Sequence, residues 1–391
     1  MSAHTTLLGF ASLFAFCWGC SSSSLGASRR DAGATTGTGS DATAGTGQVI
    51  SIAAGLSSTC ALLRTGVQCW GANNWGQLGN PSAPDGSSPV VVQGLDPDVQ
   101  AIAVGGLSAC AQVLGGAQCW GEGYGALGDA SVVDRSVPLA VQGLSAGVQA
   151  ISPGPRHICA LVSGGVWCWG MNPLGELGSD AGPKSDVPVA VQGLPGSAQA
   201  IAVGGYTSCA LLSGKVYCWG NNVAGQLGNN SGLDSHVPTA IGGLPSAVEA
   251  IAVGYYHVCA LIAGGVSCWG MAGGNGSATN SSVPTPVKGL SPGVQAITAG
   301  GSHTCALVGG GVQCWGSNAH GELGNNSTQD SVAPVAVQDL ESGVQAVVAG
   351  DSHTCALVND TVRCWGWNQY GQLGSDSPAN SLVPAPAVQL Q

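Results

Sequence analysis

The stretch Cys159-Ala-Leu-Val-Ser-Gly-Gly-Val-Trp-Cys168 decides how this chain folds. With its two cysteines opposed on neighbouring antiparallel strands, Leu161 lies opposite Val166. Ser163-Gly164 is then a two-residue turn, of the kind that needs positive φ angles. Strand alternation places Cys159, Leu161, Val166 and Cys168 on one face and Ala160, Val162, Trp167 and Trp169 on the other. Both faces are apolar, so such a hairpin must be covered on both sides.

The stretch recurs seven times. Cys60/Cys69, Cys110/Cys119, Cys159/Cys168, Cys209/Cys218, Cys259/Cys268, Cys305/Cys314 and Cys355/Cys364 are each nine residues apart, and their first members follow one another at intervals of 50, 49, 50, 50, 46 and 50 residues. A fixed period of this length marks propellers, solenoids and arrays. The turn dipeptides Leu114-Gly115, Ser213-Gly214, Ala263-Gly264, Gly309-Gly310 and Asn359-Asp360 keep the hairpin chemistry, and only Arg64-Thr65 departs from it. A Trp-Gly follows each second cysteine, at Trp70, Trp120, Trp169, Trp219, Trp269, Trp315 and Trp365, and is read as packing between units. Only 7% of the 391 residues are Asp, Glu, Lys or Arg, against 65 Gly and 20 Pro, which disfavours exposed helix and favours strands and turns. Small sheets with two apolar faces are satisfied by packing against copies of themselves around an axis. The expected fold is therefore all-β: a seven-bladed propeller of seven repeats of about 50 residues, with one hairpin disulfide per blade.

The motifs Gly301 to Leu307 (G-S-H-T-C-A-L), Gly311 to Asn318 (G-V-Q-C-W-G-S-N) and Gly371 to Gly374 (G-Q-L-G) resemble the repeat of the regulator-of-chromosome-condensation family, and the resemblance runs over about residues 48–391. It implies a seven-bladed propeller and, by the activity of the family's namesake, guanine-nucleotide exchange. That activity uses an extra hairpin wedge, for which repeats of 46 to 50 residues leave no room. Secreted relatives include an inhibitor of β-lactamases, which implies protein binding. Repeat five departs from the pattern: after Trp269-Gly270 it reads Met-Ala-Gly-Gly-Asn-Gly, without Gly-x-Leu-Gly, and its loop is expected to differ.

Thr5 to Cys20 is an uncharged apolar run, too short to span a bilayer and suited to a secretory signal. Cys20, between Gly19 and a serine run, resembles the lipidated cysteine of bacterial lipoproteins; cleavage after Leu25-Gly26-Ala27 would instead release a soluble protein. Cys17 and Cys20 also have redox-pair spacing, but no thioredoxin-like helix surrounds them. The division read from the sequence is a signal at 1–20, a flexible linker at 21–47 and a propeller at 48–391, with repeats at about 48–97, 98–146, 147–196, 197–246, 247–292, 293–342 and 343–391. In an exported chain fourteen paired cysteines read as disulfides, and the nine-residue spacing in separate blades does not suit zinc. Nine basic against 20 acidic residues, net −11, disfavour nucleic acid and anionic lipid. Membrane contact is expected only through the N-terminal lipid, and the ring is expected to be a monomer.

No catalytic, cofactor-binding or metal site is assigned. Gly143-Leu-Ser-Ala-Gly147 matches the G-x-S-x-G elbow but falls at a repeat turn rather than between a strand and a helix. His157, His257, His303 and His353 share one repeat slot, two before the first cysteine, and read as packing residues. The loops after Gly-x-Leu-Gly gather Asp180, Asn229, Asn230, Asp234, Asn325, Asn326, Asp330 and Asp376, and should emerge on one rim, which is the expected contact surface. The function expected is that of a non-enzymatic exported scaffold presenting these loops to a protein or glycan. The alternatives are an exchange-factor-like regulator and a hydrolase or lyase using the central channel. Strands from both chain ends are expected to share one blade and close the ring.

Overall fold

In the computed structural model, Cys159 pairs with Cys168, Leu161 with Val166 and Val162 with Gly165, the register that the cysteine spacing requires. Ser163 and Gly164 take φ of 50° and 83°. Five other hairpins turn the same way, through the dipeptides ending in Gly115, Gly214, Gly264, Gly310 and Asp360. The exception is again Arg64-Thr65, where the positive φ falls on Gly66 instead. The structure describes residues 47–124, 127–245, 247–375, 377–386 and 388–390. The segment 1–46, with Cys20, and the candidate rim residue Asp376 lie outside them.

Each hairpin forms the middle of an antiparallel sheet. In the first blade the strands Val49–Ala54, Ser58–Leu63, Gly66–Gly71 and Gly86–Val91 follow one another from the axis outwards. Blades two to six repeat that order and the seventh has its inner three strands, giving seven sheets and no helix among the described residues. No described helix is long and apolar enough to cross a membrane. Prolines sit in the outer strands (Pro89, Pro138, Pro188, Pro238, Pro284 and Pro334), where a missing N–H harms no further ladder and discourages pairing with another chain.

Every cysteine pair assigned from the spacing is bridged, one across each hairpin. The bridges are Cys60–Cys69, Cys110–Cys119, Cys159–Cys168, Cys209–Cys218, Cys259–Cys268, Cys305–Cys314 and Cys355–Cys364. In each, the two residues stand directly opposite one another in the ladder between the second and third strands. That opposition is what brings both sulfurs to one face of the sheet.

Blades join with one hand. The cysteine face of one meets the tryptophan face of the next: Cys159, Leu161, Val166 and Cys168 form a single core with Ile201, Ala210, Leu212 and Trp219. Behind them, Cys110 and Cys119 of the preceding blade cover Ile158, Ala160 and Trp169. The seven tryptophans are all essentially without solvent exposure.

Closure of the ring uses this same packing. Ala61, Leu63 and Trp70 of the first blade share a core with Cys355, Leu357, Val362 and Cys364 of the last. The expectation of a blade shared by both termini is therefore corrected. The segment from Ser381 takes the outer position of blade seven, through a bridge to Gly366 and backbone bonds from Ala385 N to Cys364 O (2.8 Å) and Val388 N to Val362 O (3.0 Å). Val49–Ala54 remains the inner strand of blade one. A complete tryptophan face already waits on blade one, so no strand exchange is needed to cover blade seven.

Candidate binding face

Where each inner strand turns into the second, seven glycines meet at the axis: Gly55, Gly105, Gly154, Gly204, Gly254, Gly300 and Gly350. A Cβ on Gly55 would lie 2.1 Å from Gly105 O, on Gly300 2.4 Å from Gly350 O, and on Gly350 2.4 Å from Gly55 O, so the backbones approach as closely as only glycine allows. Backbone bonds pass from blade to blade just outside this ring: Tyr255 N to Gly301 O (3.2 Å), Gly301 N to Asp351 O (2.9 Å) and Asp351 N to Gly55 O (3.0 Å). The ring lines an axial cavity of about 100 Å³. The glycine repeated at this position in all seven units is plain in the sequence, but the contact that requires it comes from a whole blade away, where no local pattern points.

The residues after the glycines, Leu56, Gly106, Pro155, Gly205, Tyr255, Gly301 and Asp351, edge the mouth of the cavity. Only Tyr255 and Asp351 bring polar side chains, and Gly301 separates them. Asp351 leans across the gap, its Oδ1 lying 2.4 Å from where a Cβ on Gly301 would stand. Tyr255 contacts Tyr206 (ring centroids 6.1 Å apart, edge-on) and Tyr256 (5.4 Å). Burial pushes the Tyr255 hydroxyl up to about 12, so it stays a neutral donor. Burial also raises the Asp351 carboxyl, which accepts from Ser352 Oγ at 3.1 Å and, among the described residues, makes no ion pair.

The loops that join third to outer strands open at this same end. At their roots, except in the second repeat where Gly123 stands in the slot, an asparagine amide does the folding. Asn222 Nδ2 donates to Ser231 O and Leu233 O, both at 2.9 Å, while its Oδ1 accepts from Leu227 N at 2.9 Å. Asn318 repeats the arrangement on Ser327, Gln329 and Leu323. Repeat five does differ: Asn275, arriving three residues late, donates to Gly270 O and Thr279 O.

Several candidate rim residues prove to belong to this framework. Asp234 Oδ1 accepts from Asn222 N (2.7 Å) and Asp330 Oδ1 from Asn318 N (2.8 Å). Asn229 and Asn325 accept from the Nδ2 of those asparagines (3.3 and 3.2 Å). Asn230 and Asn326, at φ of 57° and 58°, donate their N–H to Ser282 O and Leu382 O of the following blade. Asp180 is exposed. The loops do share one end, and Asp180, Asn230, Asp234, Asn326 and Asp330 are exposed on it together with large apolar and aromatic side chains, Tyr124, Val223 and Leu233, at 60%, 73% and 78% exposure. The sequence reading favoured polar loop residues as contacts and so passed over the large ones.

The shared histidine slot is an inter-blade clamp. His157, His257, His303 and His353 are fully buried, and each Nε2 lies 2.8 to 2.9 Å from a hydroxyl of the next blade: Ser208, Thr304, Thr354 and Thr59 in turn. Those hydroxyls donate to Glu176 O, Gly274 O, Glu322 O and Gln372 O. Their protons being spent, Nε2–H is the donor from each imidazole. The same four carbonyls also accept from Trp219, Trp315, Trp365 and Trp70 Nε1. Burial drives the imidazoles down to about 3 for His157 and His303 and about 4 for His257 and His353, keeping them neutral. Among the described residues no three His, Cys, Asp or Glu side chains are grouped to hold a metal.

A family profile described as the RCC1-like domain matches residues 116–391, and profiles of the regulator of chromosome condensation (RCC1) repeat match 49–77 and 66–112. The chain belongs to the RCC1-like domain family. Human WBSCR16 is similar in structure, with a TM-score of 0.72 at 23% identity, over 80% of this chain and 88% of that one. Yeast RCC1 (Prp20), solved with Kap60, gives 0.70 at 20% identity over 93% and 90%. The CRINKLY ectodomain of the Arabidopsis thaliana receptor kinase ACR4 gives 0.51 at 21% over 88% and 100%. Likeness at these identities is a likeness of fold. No curated protein sequence matches the chain significantly.

Within this RCC1-like ring, charge and aromatic residues divide unequally between the two ends. The loops and axial turns of the loop end carry ten described carboxylates, among them Asp85, Glu122, Asp134, Asp180 and Asp351, against Arg156 and, on the first residues of two outer strands, Arg135 and Lys184, which pair with Asp129 and Asp186. The turns and connections of the opposite end carry Asp96, Asp98, Asp339, Glu341 and Asp360 against Arg64 and Lys288. Apart from the seven core tryptophans, the loop end holds Trp75, Tyr124, Tyr206, Tyr255, Tyr256, Trp367 and Tyr370, while the connections of the other end hold no Tyr or Trp among the described residues.

Proposed function

We propose that this RCC1-like ring is a non-enzymatic binding scaffold, exported before its cysteines oxidise, that presents its loop end to a protein or glycan. One observation carries the reading: two large side chains, Leu233 and Val223, stand in solvent on a loop whose own backbone is pinned from beneath by the buried Asn222. Leaving such side chains exposed on a rigid frame has no stabilising role, and it suits a contact surface whose ordering cost is met in advance. The seven hairpin disulfides favour an oxidising compartment and with it export, and the lipoprotein-like Gly19-Cys20-Ser21 context places an anchor at Cys20 in this reading. A fold relative, Prp20p from Saccharomyces cerevisiae, binds Gsp1p and histones, which gives protein binding on this fold a precedent.

Affinity capture tests the reading. Immobilised ring is compared with Val223→Ser/Leu233→Ser and, as a control at the opposite end, Asp339→Asn. A partner retained by wild type and control but lost by the double variant supports it; retention by all three removes the loop end from the contact. Cell fractionation with globomycin sensitivity tests export and lipidation, and a cytosolic location with free thiols would defeat both.

A further inference from the structure

Asp351 turns one carboxylate oxygen, Oδ1, toward the gap at Gly301. It is half-buried at the axis, its Oδ2 takes one hydrogen bond from its neighbour Ser352, and no described cation pairs with it. A desolvated charge without a counter-ion costs free energy, and a protein that keeps one is set up to gain when a cation arrives. Its surroundings would suit a cation further. Tyr255 stands across Gly301, which has no side chain to fill the gap, and Tyr206 and Tyr256 pack against Tyr255. Aromatic faces beside a carboxylate attract ammonium and guanidinium groups. Beyond the mouth, the loop end continues the same pattern with the exposed carboxylates Asp85, Asp134, Asp180, Asp234 and Asp330 and the exposed aromatic residues Trp75 and Tyr124. Of the cations at this end, Arg135 is taken by Asp129 (2.9 Å) and Lys184 by Asp186 (3.0 Å), while Arg156, on blade three, acts electrostatically on Glu122 and on Tyr255.

We propose that the axial mouth at Asp351, Tyr255 and Gly301 receives a Lys or Arg side chain of a protein partner, and that the acidic, aromatic loop end recognises the basic segment carrying it. This rests on the scaffold reading and adds the chemistry of the partner. A neutral glycan would use the aromatic residues but would gain nothing from the charge difference between the two ends. The side chain enters beside Gly301, its head between carboxylate and phenol and its methylenes against Leu56 and the tyrosine rings.

The test is titration calorimetry of the full ring with a short Gly/Ser peptide bearing several lysines, the same peptide with every lysine acetylated, and a neutral β-linked oligosaccharide. The lysine peptide should bind and weaken as salt is raised, while the acetylated peptide and the sugar should not bind. Asp351→Asn, close in shape and able to keep the Ser352 contact, should weaken the lysine peptide more than about tenfold, and Tyr255→Leu roughly fivefold or more. Asp339→Asn should change nothing. Melting temperatures of all variants establish that they are folded. Equal binding of the acetylated peptide, binding of the sugar in place of the lysine peptide, or an unchanged affinity in Asp351→Asn would each overturn the inference. Where capture of a partner still depends on Val223 and Leu233 but Asp351→Asn has no effect, the cation site fails and the scaffold reading stands.

Discussion

His353 and Thr59, 294 residues apart in sequence, meet at the seam where the ring closes, with Nε2 2.9 Å from Oγ1. The imidazole of the last blade donates to the hydroxyl of the first, and the hydroxyl donates back to Gln372 O of the last. Thr59→Val should strand the buried N–H and cost about 1 to 3 kcal/mol. The double variant His353→Leu/Thr59→Val should recover part of that loss, because both polar partners leave together. A double-mutant cycle from denaturant melts checks this, and additive losses would refute a clamp.

Acid should weaken four seams at once. The clamping imidazoles titrate at about 3 to 4 in the folded ring and near 6.5 when exposed. The unfolded chain therefore takes up protons first. Stability is fully present above about pH 6.5 and falls as pH drops towards the folded values, by at most about 1.4 kcal/mol per pH unit for each histidine. Glu176, Glu322 and Asp351 act in the opposite sense, since burial raises their carboxyls and acid relieves them. Unfolding free energies measured at about pH 7.5 and pH 5 should differ by several kcal/mol; equal values would show that the imidazoles are accessible when folded.

The hairpins, their bridges and the two apolar faces were legible because each is a local pattern: a nine-residue spacing, an alternation of period two, a turn dipeptide. The clamp was missed because its two halves lie in different repeats. Its signal is nonetheless in the sequence. Wherever a blade has His in the slot, the next blade has Ser or Thr just before its first cysteine: Ser208, Thr304, Thr354 and, around the ring, Thr59. Where the slot holds Ser58, Ser108 or Thr207, the matching residue of the next blade is Ala109, Ile158 or Val258. A comparison between neighbouring repeats, rather than within each one, shows the pairing. The binding face was half legible. Loop position follows from the period, but the roles of Asp234, Asp330, Asn229 and Asn325 depend on where buried asparagines point, and composition says nothing of that. The shared terminal blade was misjudged because two apolar ends look like two strands of one sheet.

Glycine at the axis is required by contact. Gly350→Ala would place a methyl 2.3 Å from His353 Cε1 and 2.4 Å from Gly55 O, and backbone cannot step aside. The expected loss is more than about 3 kcal/mol, or failure to fold. Gly242→Ala, where nothing lies within 4 Å of the new methyl, should stay within about 0.5 kcal/mol of wild type. Thermal melts of the pair compare the two positions on one scaffold, and equal behaviour would mean that the blades do not close to this radius.

Deleting residues 381–391 should loosen the whole ring rather than fray one edge. It removes the outer segment of blade seven, with its bonds to Gly366, Cys364 and Val362, and takes Val388 from the core that blade seven shares with Trp70. Gly374 Cβ space abuts both Val388 Cγ2 and Trp70 Nε1, so the loop that receives the closing tryptophan loses its support as well. Two or more apolar side chains leave the core, a loss of about 3 kcal/mol or more. The measurement is hydrogen exchange on both sides of the seam. Faster exchange in Ser58–Leu63 of blade one as well as in Thr361–Gly366 would show that closure depends on packing across the seam, whereas exchange confined to blade seven would mean that the first blade holds without it.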